Sequence, residues 1–153
     1  MPVPFLQEPL TARCYDAVAL DRVCNDPSVL PSVAAGLDRI ETAALLADKR
    51  NVAFLGAHGG ALFHRTAPGV YAAHDFFLPE GRGRWALRAS REMLARMFGE
   101  FRARLIWAET PVENRACCMF NRWLGFKSEG VSRHAAYPGA EPADYETFVM
   151  EAC

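Results

Sequence analysis

Residues 76–86 read Phe-Phe-Leu-Pro-Glu-Gly-Arg-Gly-Arg-Trp-Ala, which is the pattern of a strand, a glycine loop and the start of a helix. Glycines let a backbone approach a ligand closely, and the first N–H groups of a helix have no partner within the helix. The positive end of the helix dipole also attracts anions. The stretch therefore predicts a pyrophosphate seat to which Arg82 and Arg84 add charge; the alternative is a tight turn with solvated arginines.

The residues on both sides of this loop predict a mixed sheet. Strand-like runs at 51–56, 61–65 and 70–78 are separated by Gly-Gly and Pro-Gly turns, which indicates an antiparallel meander after a helix-rich N-terminal third. The later elements alternate: helices at about 84–101 and 113–124, and strands at 104–109, 126–137 and 145–151. A meander followed by a β-α-β unit predicts an α/β (α+β) domain.

Charge and cysteine usage narrow the class of protein. The 17 basic and 18 acidic residues give a formal charge of −1, which disfavours general nucleic-acid binding. The five cysteines include no C-x-x-C pair, so we expect reduced thiols and no metal site. The N-terminus lacks the pattern of a signal peptide, and no apolar run reaches membrane-spanning length. We expect a cytoplasmic protein without a membrane partner.

The glycine loop also matches a second pattern. Gly81, Gly83 and Ala86 fit the dinucleotide fingerprint G-x-G-x-x-G/A, for which Glu109 would be the acidic residue of the next strand. A dinucleotide domain, however, begins with this unit and continues as a parallel doubly wound sheet. An antiparallel meander precedes the loop here, so NAD binding is the less favoured hypothesis.

Residues 114–126 read Asn-Arg-Ala-Cys-Cys-Met-Phe-Asn-Arg-Trp-Leu-Gly-Phe. The apolar spacing predicts an amphipathic helix that ends at the glycine. Its predicted inner face consists of Ala116, Met119, Phe120, Trp123 and Leu124. Amphipathicity does not explain the Asn at the helix start together with the Gly-Phe that follows the helix.

With the glycine loop one strand-helix unit upstream, this second motif resembles the GNAT superfamily of acetyl-CoA-dependent N-acetyltransferases. The late motif of that family reads approximately N-x-x-[AS]-x-x-[apolar]-Y-x-[KR]-x-G-F. The positions in register are Asn114, Cys117, Phe120, Gly125 and Phe126. The resemblance covers residues 50–151, and the stretch 74–83 with Asn-Arg-Ala at 114–116 is similar to a subgroup encoded by phages and prophages.

The resemblance implies a mixed, mostly antiparallel, twisted sheet flanked by helices. One domain would span residues 1–153, with a helical N-terminal part at 1–50 and an acetyl-CoA-binding core at 51–151. The implied activity is transfer of an acetyl group from acetyl-CoA to a primary amine by direct attack on the thioester. The implied partners are a small-molecule or peptide amine acceptor and, for the oligomeric state, a second copy in a homodimer.

The resemblance also implies where the cofactor lies. The end of the strand at 70–78 would pair with the pantetheine arm, loop N–H groups would hold the pyrophosphate, and the Asn at the later helix start would bond near the thiol. These residues are Phe76, Phe77 and Leu78 on the strand, Arg82, Gly83, Arg84, Trp85 and Ala86 in the loop, and Asn114 and Cys117 on the helix.

Two features depart from the family pattern. Asn121 stands where many members have a tyrosine that protonates the leaving thiolate, and an amide cannot supply that proton. Arg84 or Trp85 stands where a glycine is common. Two hypotheses follow: an active N-acetyltransferase, or a GNAT-fold binding or assembly module, in a phage context.

The candidate catalytic residues are His74 and Glu109. Strand periodicity places His74 and Asp75 on opposite faces, and an imidazole can accept the amine proton directly or through water. Each candidate also has an ordinary interpretation, as a structural histidine and a solvated strand-end carboxylate. We interpret Asp75 as an ion-pair partner or a solvent-facing residue, and Cys117 as a small packing residue.

Overall fold

The computed structural model describes residues 7–153. The strands are β1 Thr11–Arg13, β2 Val52–Gly56, β3 Gly59–Ala67, β4 Val70–Phe77, β5 Leu105–Pro111, β6 Lys127–His134 and β7 Ala143–Glu151. The helices are α1 Ala17–Cys24, α2 Leu30–Val33, α3 Ala43–Ala47, α4 Arg84–Gly99 and α5 Arg115–Leu124, and a 3₁₀ turn spans Pro79–Gly81. Within the described range, no helix is long and apolar enough to cross a bilayer.

The strands form one sheet in the order β1-β2-β3-β4-β5-β7-β6. Every neighbouring pair is antiparallel except β4 and β5, which run parallel. That pairing covers only Val70–Ala72 against Leu105–Trp107, although β4 continues to Phe77 and β5 to Pro111. The two strands therefore diverge and leave a wedge-shaped cleft in the middle of the sheet.

Each face of the sheet carries its own apolar core. On the α4/α5 face, Phe54, Phe63 and Ile106 pack against Met93 and Met97 of α4. On the α1–α3 face, the core is a smaller cluster that includes Leu20, Cys24, Val29, Ala53, Leu62 and Phe76. Burying both faces fixes the register of β4, because a slip by one residue would exchange its inward and outward side chains.

The mixed, mostly antiparallel sheet with flanking helices confirms the predicted fold class. The strand β1 was missed: it has three residues and pairs with β2 from Thr11↔Gly56 to Arg13↔Phe54. Three residues are too few to show periodicity, so the pairing depends on an edge that β2 offers. The division of the chain at residue 50 stays a prediction.

The predicted inner face of α5 is confirmed at Phe120 and Leu124, which pack against the core of the α4/α5 face, and is wrong at its other three positions. Met119 and Trp123 are 48% and 62% exposed, and Ala116 is exposed as well. The helix instead buries Cys118 and Asn121. Apolar side chains occur on both sides of this helix, so a hydrophobicity pattern alone does not reveal which of them face the core.

Candidate functional site

The backbone of β4 is unpaired on the side that faces the cleft. The Leu78 N–H donates to His58 O at 2.9 Å, so even-numbered residues of β4 direct their backbone groups toward β3. By the alternation of an antiparallel ladder, Ala73, Asp75 and Phe77 direct theirs away from β3. Beyond Ala72 no strand pairs with that edge among the described residues.

The opposite wall of the cleft has the same property. The Val112 N–H donates to Asp144 O at 3.0 Å, so even-numbered positions of β5 face β7. Trp107, Glu109 and Pro111 therefore direct their backbone groups toward β4. Of these, Trp107 pairs with β4, whereas Glu109 lies where the strands have separated. The cleft thus offers an extended ligand two strand edges for main-chain hydrogen bonds.

The predicted glycine loop lies at the end of this cleft. Gly83 precedes α4 with a φ of +97°, a conformation that favours glycine, and no side chain caps the helix. A Cβ placed on Gly83 meets no atom within 4 Å. The first helical bond runs from Leu87 N–H to Gly83 O at 3.0 Å, so the N–H groups of Arg84, Trp85 and Ala86 have no partner within the helix.

Arg82 differs from the prediction in both its backbone and its side chain. Its N–H donates to Pro79 O at 3.3 Å and is therefore already bonded. Its guanidinium donates through Nε to Phe77 O at 3.2 Å and through Nη2 to Ser28 O at 2.6 Å. The side chain joins the loop to the segment before α2, so its donors serve the protein backbone.

Trp85 packs against the residues on either side of the loop. Its indole meets His58 edge to face at a centroid distance of 5.1 Å and Phe77 at 6.1 Å. A Cβ on Gly81 would lie 2.4 Å from the His58 Cβ and 3.1 Å from the indole, so glycine is required there by close packing. The two loop glycines therefore differ: Gly81 permits close packing against His58 and Trp85, whereas Gly83 leaves open space before α4.

The two predicted residues of the second motif, Asn114 and Cys117, lie at the start of α5. Asn114 is the N-cap, and its Oδ1 accepts from Cys117 N–H at 3.1 Å. The Asn114 Nδ2 group makes no hydrogen bond with the part of the chain that is described. Burial, together with the charge of the nearby Asp75, raises the pKa of the Cys117 thiol to about 12. Cys117 is therefore a thiol rather than a nucleophilic thiolate.

Asp75 forms no ion pair with any described residue, which corrects the first of its two interpretations, and the residue is only partly buried. On the α4/α5 face of the cleft it lines a cavity of about 40 Å³ that opens to solvent. The other lining residues are Ala61, Phe63, Ala73, Ser90, Met93, Leu94, Ala108, Asn121, Leu124 and Phe126. Desolvation raises the pKa of Asp75 above its ordinary value, and its own N–H lowers it slightly.

Asn121 shares that cavity and is itself buried. Its Nδ2 donates to Thr110 Oγ1 at 3.0 Å, and its backbone carbonyl accepts from Phe126 N–H at 3.1 Å. Asn121 therefore joins α5 to β5 at the end of the cleft.

The α1–α3 face brings the two catalytic candidates to one side of the cleft. His74 lies on β4 and Glu109 on β5. The Glu109 charge acts to raise the pKa of His74, but it is the smallest of three influences on that pKa. Desolvation and the His64 charge have the larger, opposite effect, so the pKa of His74 is below its ordinary value although the residue is exposed at the surface of the cleft. An imidazole in this state is neutral and can accept a proton.

Glu109 also has a partner that the sequence did not indicate. Its Oε2 lies 3.1 Å from His134 Nε2, and both side chains are 34% exposed. The His134 ring stacks on Tyr145 at 4.7 Å, and its Nδ1 lies 3.2 Å from Ser132 Oγ. The sequence did not predict His134, or the position of Asp75 in the cavity, as part of the site. The signal available for Asp75 was a carboxylate in the apolar strand 70–78; none marked His134.

Known structures with the same architecture include several acetyltransferases. The spermidine N-acetyltransferase from Vibrio cholerae, solved in complex with CoA and spermine, is 14% identical over 93% of this chain and 95% of its own, with a TM-score of 0.74. A GNAT-family acetyltransferase from Bacillus anthracis is 20% identical over 89% of each chain, with a TM-score of 0.68.

A third neighbour acts on another acceptor. The ribosomal-protein-S5-alanine acetyltransferase from Vibrio fischeri is 17% identical over 71% of this chain and 65% of its own, with a TM-score of 0.60. No family model and no curated protein sequence matches the chain. At these identities the neighbours show that the chain has the fold of GNAT acetyltransferases, and the fold alone does not determine an acceptor.

Proposed function

We propose that the protein is an N-acetyltransferase that takes its acetyl group from acetyl-CoA and transfers it to a primary amine. The observation that carries the proposal is the cleft between β4 and β5, which ends at the uncapped start of α4. An extended chain that ends in a pyrophosphate matches both parts, because strand edges bond an amide-containing arm and helix N–H groups bond an anion.

The described residues fit CoA at each of these places. Ala73, Asp75 and Phe77 offer backbone groups to a pantetheine arm, although Phe77 O already accepts from Arg82. The open space at Gly83 admits a pyrophosphate close to the helix start. Arg84, Arg88 and Arg91 line a groove beside α4 and add positive charge for the nucleotide phosphates. Acetyl-CoA, when bound, supplies an activated thioester.

The acceptor amine approaches from the α1–α3 face in this proposal. His74 is the base: its neutral imidazole takes the proton that the amine nitrogen loses as it attacks. Glu109 acts through His74, because its negative charge favours the imidazolium that this transfer creates. Glu109 is thus a positioning residue whose carboxylate is itself held by His134.

One observation favours a second candidate, a GNAT-fold binding or assembly module. Asn121 cannot protonate a thiolate, and its amide is already bonded to Thr110. Cleavage of the thioester separates the two candidates, since a binding module retains CoA without breaking acetyl-CoA. Resemblance to phage-encoded proteins, the cytoplasmic location and a homodimer stay predictions.

The proposal is tested by calorimetric titration of CoA into the wild type and two valine variants. Gly83→Val places a side chain in the open space before α4 and strains a φ of +97°; we expect CoA binding to weaken at least tenfold, about 1.4 kcal/mol. Gly130→Val is the control, because Gly130 has a φ of +108° and open space but lies on the edge strand β6.

Three results decide the test. CoA binding by the wild type with selective weakening in Gly83→Val supports the proposal. No CoA binding by the wild type, or binding of NAD instead, contradicts it. Equal weakening of CoA binding in both valine variants would show that backbone strain caused the loss. It would contradict the placement of the pyrophosphate at the start of α4.

A further inference from the structure

Asp75 is a carboxyl group inside the cleft, and no residue in the described range 7–153 forms an ion pair with it. Of the described residues that line its cavity, it alone ionises. From α4 it faces Ser90, Met93 and Leu94, and from α5 it faces the neutral amide of Asn121. The Cys117 thiol on α5 is close enough for the Asp75 charge to act on it, and this thiol holds its proton until a pH of about 12. An ion pair therefore does not explain the carboxyl.

We infer that Asp75 is the general acid that protonates the leaving thiolate sulfur. The inference rests on the proposed function and concerns a proton that Asn121 cannot supply. Asp75 and Asn121 line the same cavity, at the point where the unpaired edge of β4 would hold the arm that carries the sulfur.

The alternation of a strand gives the acid and the base their relative positions. Consecutive residues of β4 project to opposite faces, so His74 faces the α1–α3 side and Asp75 the α4/α5 side. A thioester carbonyl held between them meets the amine on one side and releases sulfur on the other.

The step balances in atoms and charge. His74 accepts one proton from the amine nitrogen as the N–C bond forms. Asp75 transfers one proton to sulfur as the C–S bond breaks, which leaves an amide and a thiol. A proton then passes through solvent from the imidazolium to the carboxylate, and both groups return to their starting states.

The chemistry of the cavity suits this role for Asp75 better than for Cys117. A general acid works best when its pKa lies near the working pH, and desolvation moves the pKa of Asp75 upward in that direction. Cys117, at about 12, is a weaker acid than an ordinary thiol and would transfer its proton to a thiolate unfavourably.

Asp75→Asn tests the assignment, because the variant keeps the shape of the side chain but cannot release the proton. We expect kcat for acetyl-CoA cleavage to fall 10²–10⁴-fold, with water or a panel of small amines as acceptor. CoA affinity by calorimetry should change less than twofold. Wild-type kcat should fall as pH rises through the pKa of Asp75, and Asp75→Asn should lack this limb. Asp75→Glu should restore part of the rate.

A spectroscopic measurement gives a readout besides activity. The infrared carbonyl stretch of a protonated carboxylic acid should be present in the wild type above the ordinary range of aspartate titration, and absent from Asp75→Asn. Its loss with rising pH should follow the kcat limb.

Each other outcome overturns the assignment in a recognisable way. Asp75→Asn with normal kcat and an unchanged pH profile overturns the acid alone, as does a wild-type carboxyl that ionises in the ordinary range. A wild type that binds CoA but never cleaves the thioester overturns the acid and the enzymatic proposal while leaving the cofactor site. A wild type that binds no CoA overturns the proposed function itself.

Discussion

Two carboxyl groups flank the same cleft, and their surroundings differ. Glu109 lies on β5 on the α1–α3 face, where it is paired with His134 and reached by water. Asp75 lies on β4 on the α4/α5 face, among apolar side chains and without a charged partner. Desolvation raises the pKa of Asp75, whereas Glu109 lies close enough to His74 to favour its charged form.

The surroundings of a carboxyl group, rather than its residue type, can therefore decide whether it serves as an acid or supports a base in the same cleft. Desolvation without a charged partner favours the protonated form of a carboxyl, whereas a carboxylate beside an imidazole favours the charged form of that imidazole. Asp75 is therefore suited to donate a proton, and Glu109 is suited to stabilise a positive charge. Variants on each side of the cleft can test this division.

The largest effect is expected at the base. Replacing His74 by alanine should lower kcat 10²–10⁴-fold and leave CoA affinity unchanged within twofold. Because the pKa of His74 is lowered, the neutral base persists to lower pH. The midpoint of the acid limb in the wild-type kcat profile should therefore lie at a pH below 6.5, the ordinary pKa of histidine. Steady-state kinetics across a pH series measure both.

His64→Ala is the matched control for this experiment. His64 is a second histidine close enough for its charge to lower the pKa of His74. Removing it should move the acid limb upward and change maximal kcat little. An equal loss of kcat in His64→Ala and His74→Ala would show that the two imidazoles act only in packing.

The second prediction concerns the polar contact beside Asp75. Thr110→Val removes the oxygen to which the buried Asn121 amide donates at 3.0 Å. Leaving a buried donor unpaired costs about 1–3 kcal/mol of the free energy of unfolding, measured by urea denaturation. Adding Asn121→Leu should recover most of that loss, since both partners are then apolar. A double variant no better than Thr110→Val would contradict this account.

The division of the cleft into two faces could be predicted from sequence, whereas the contents of each face could not. Glycines, strand alternation and helix stops are local signals, and they predicted the elements around the loop and the opposite directions of His74 and Asp75. The desolvation of Asp75 depends on Met93, Leu94 and Asn121, which are distant in sequence. The exposed side of α5 and the His134–Glu109 contact depend on tertiary packing in the same way.

The third prediction uses stability to measure the environment of Asp75. A carboxyl with a raised folded-state pKa contributes stability below its unfolded pKa, and this contribution is lost as pH rises through the folded pKa. Asp75→Asn should therefore raise Tm at pH 7–8, and the gain should vanish toward pH 3. Each pKa unit corresponds to about 1.4 kcal/mol, and each kcal/mol to about 2–4 °C in Tm.

Thermal unfolding of both proteins across that pH series is the measurement. A Tm difference that does not change with pH would show that Asp75 titrates alike in the folded and unfolded chains. Asp75 would then not be desolvated in the folded protein, and its environment would not differ from that of Glu109.

The smallest effect is expected at Glu109. Its contact with His134 is 3.1 Å long and reached by water on both sides, and exposed pairs of this kind contribute about 0.2–1 kcal/mol to stability. Glu109→Gln should therefore lower the free energy of unfolding by no more than this, which is opposite in sign to Asp75→Asn. It should also reduce kcat about tenfold or less, because His74 loses a favourable charge.

Glu146→Gln is the control, since Glu146 bonds Arg122 at 2.6 Å and is only 13% exposed. Urea denaturation should rank Glu146→Gln as the more destabilising variant. A loss above about 2 kcal/mol at Glu109 would make its pair with His134 part of the structural framework, and the contrast between a water-exposed and a desolvated carboxyl would no longer separate the two sides of the cleft.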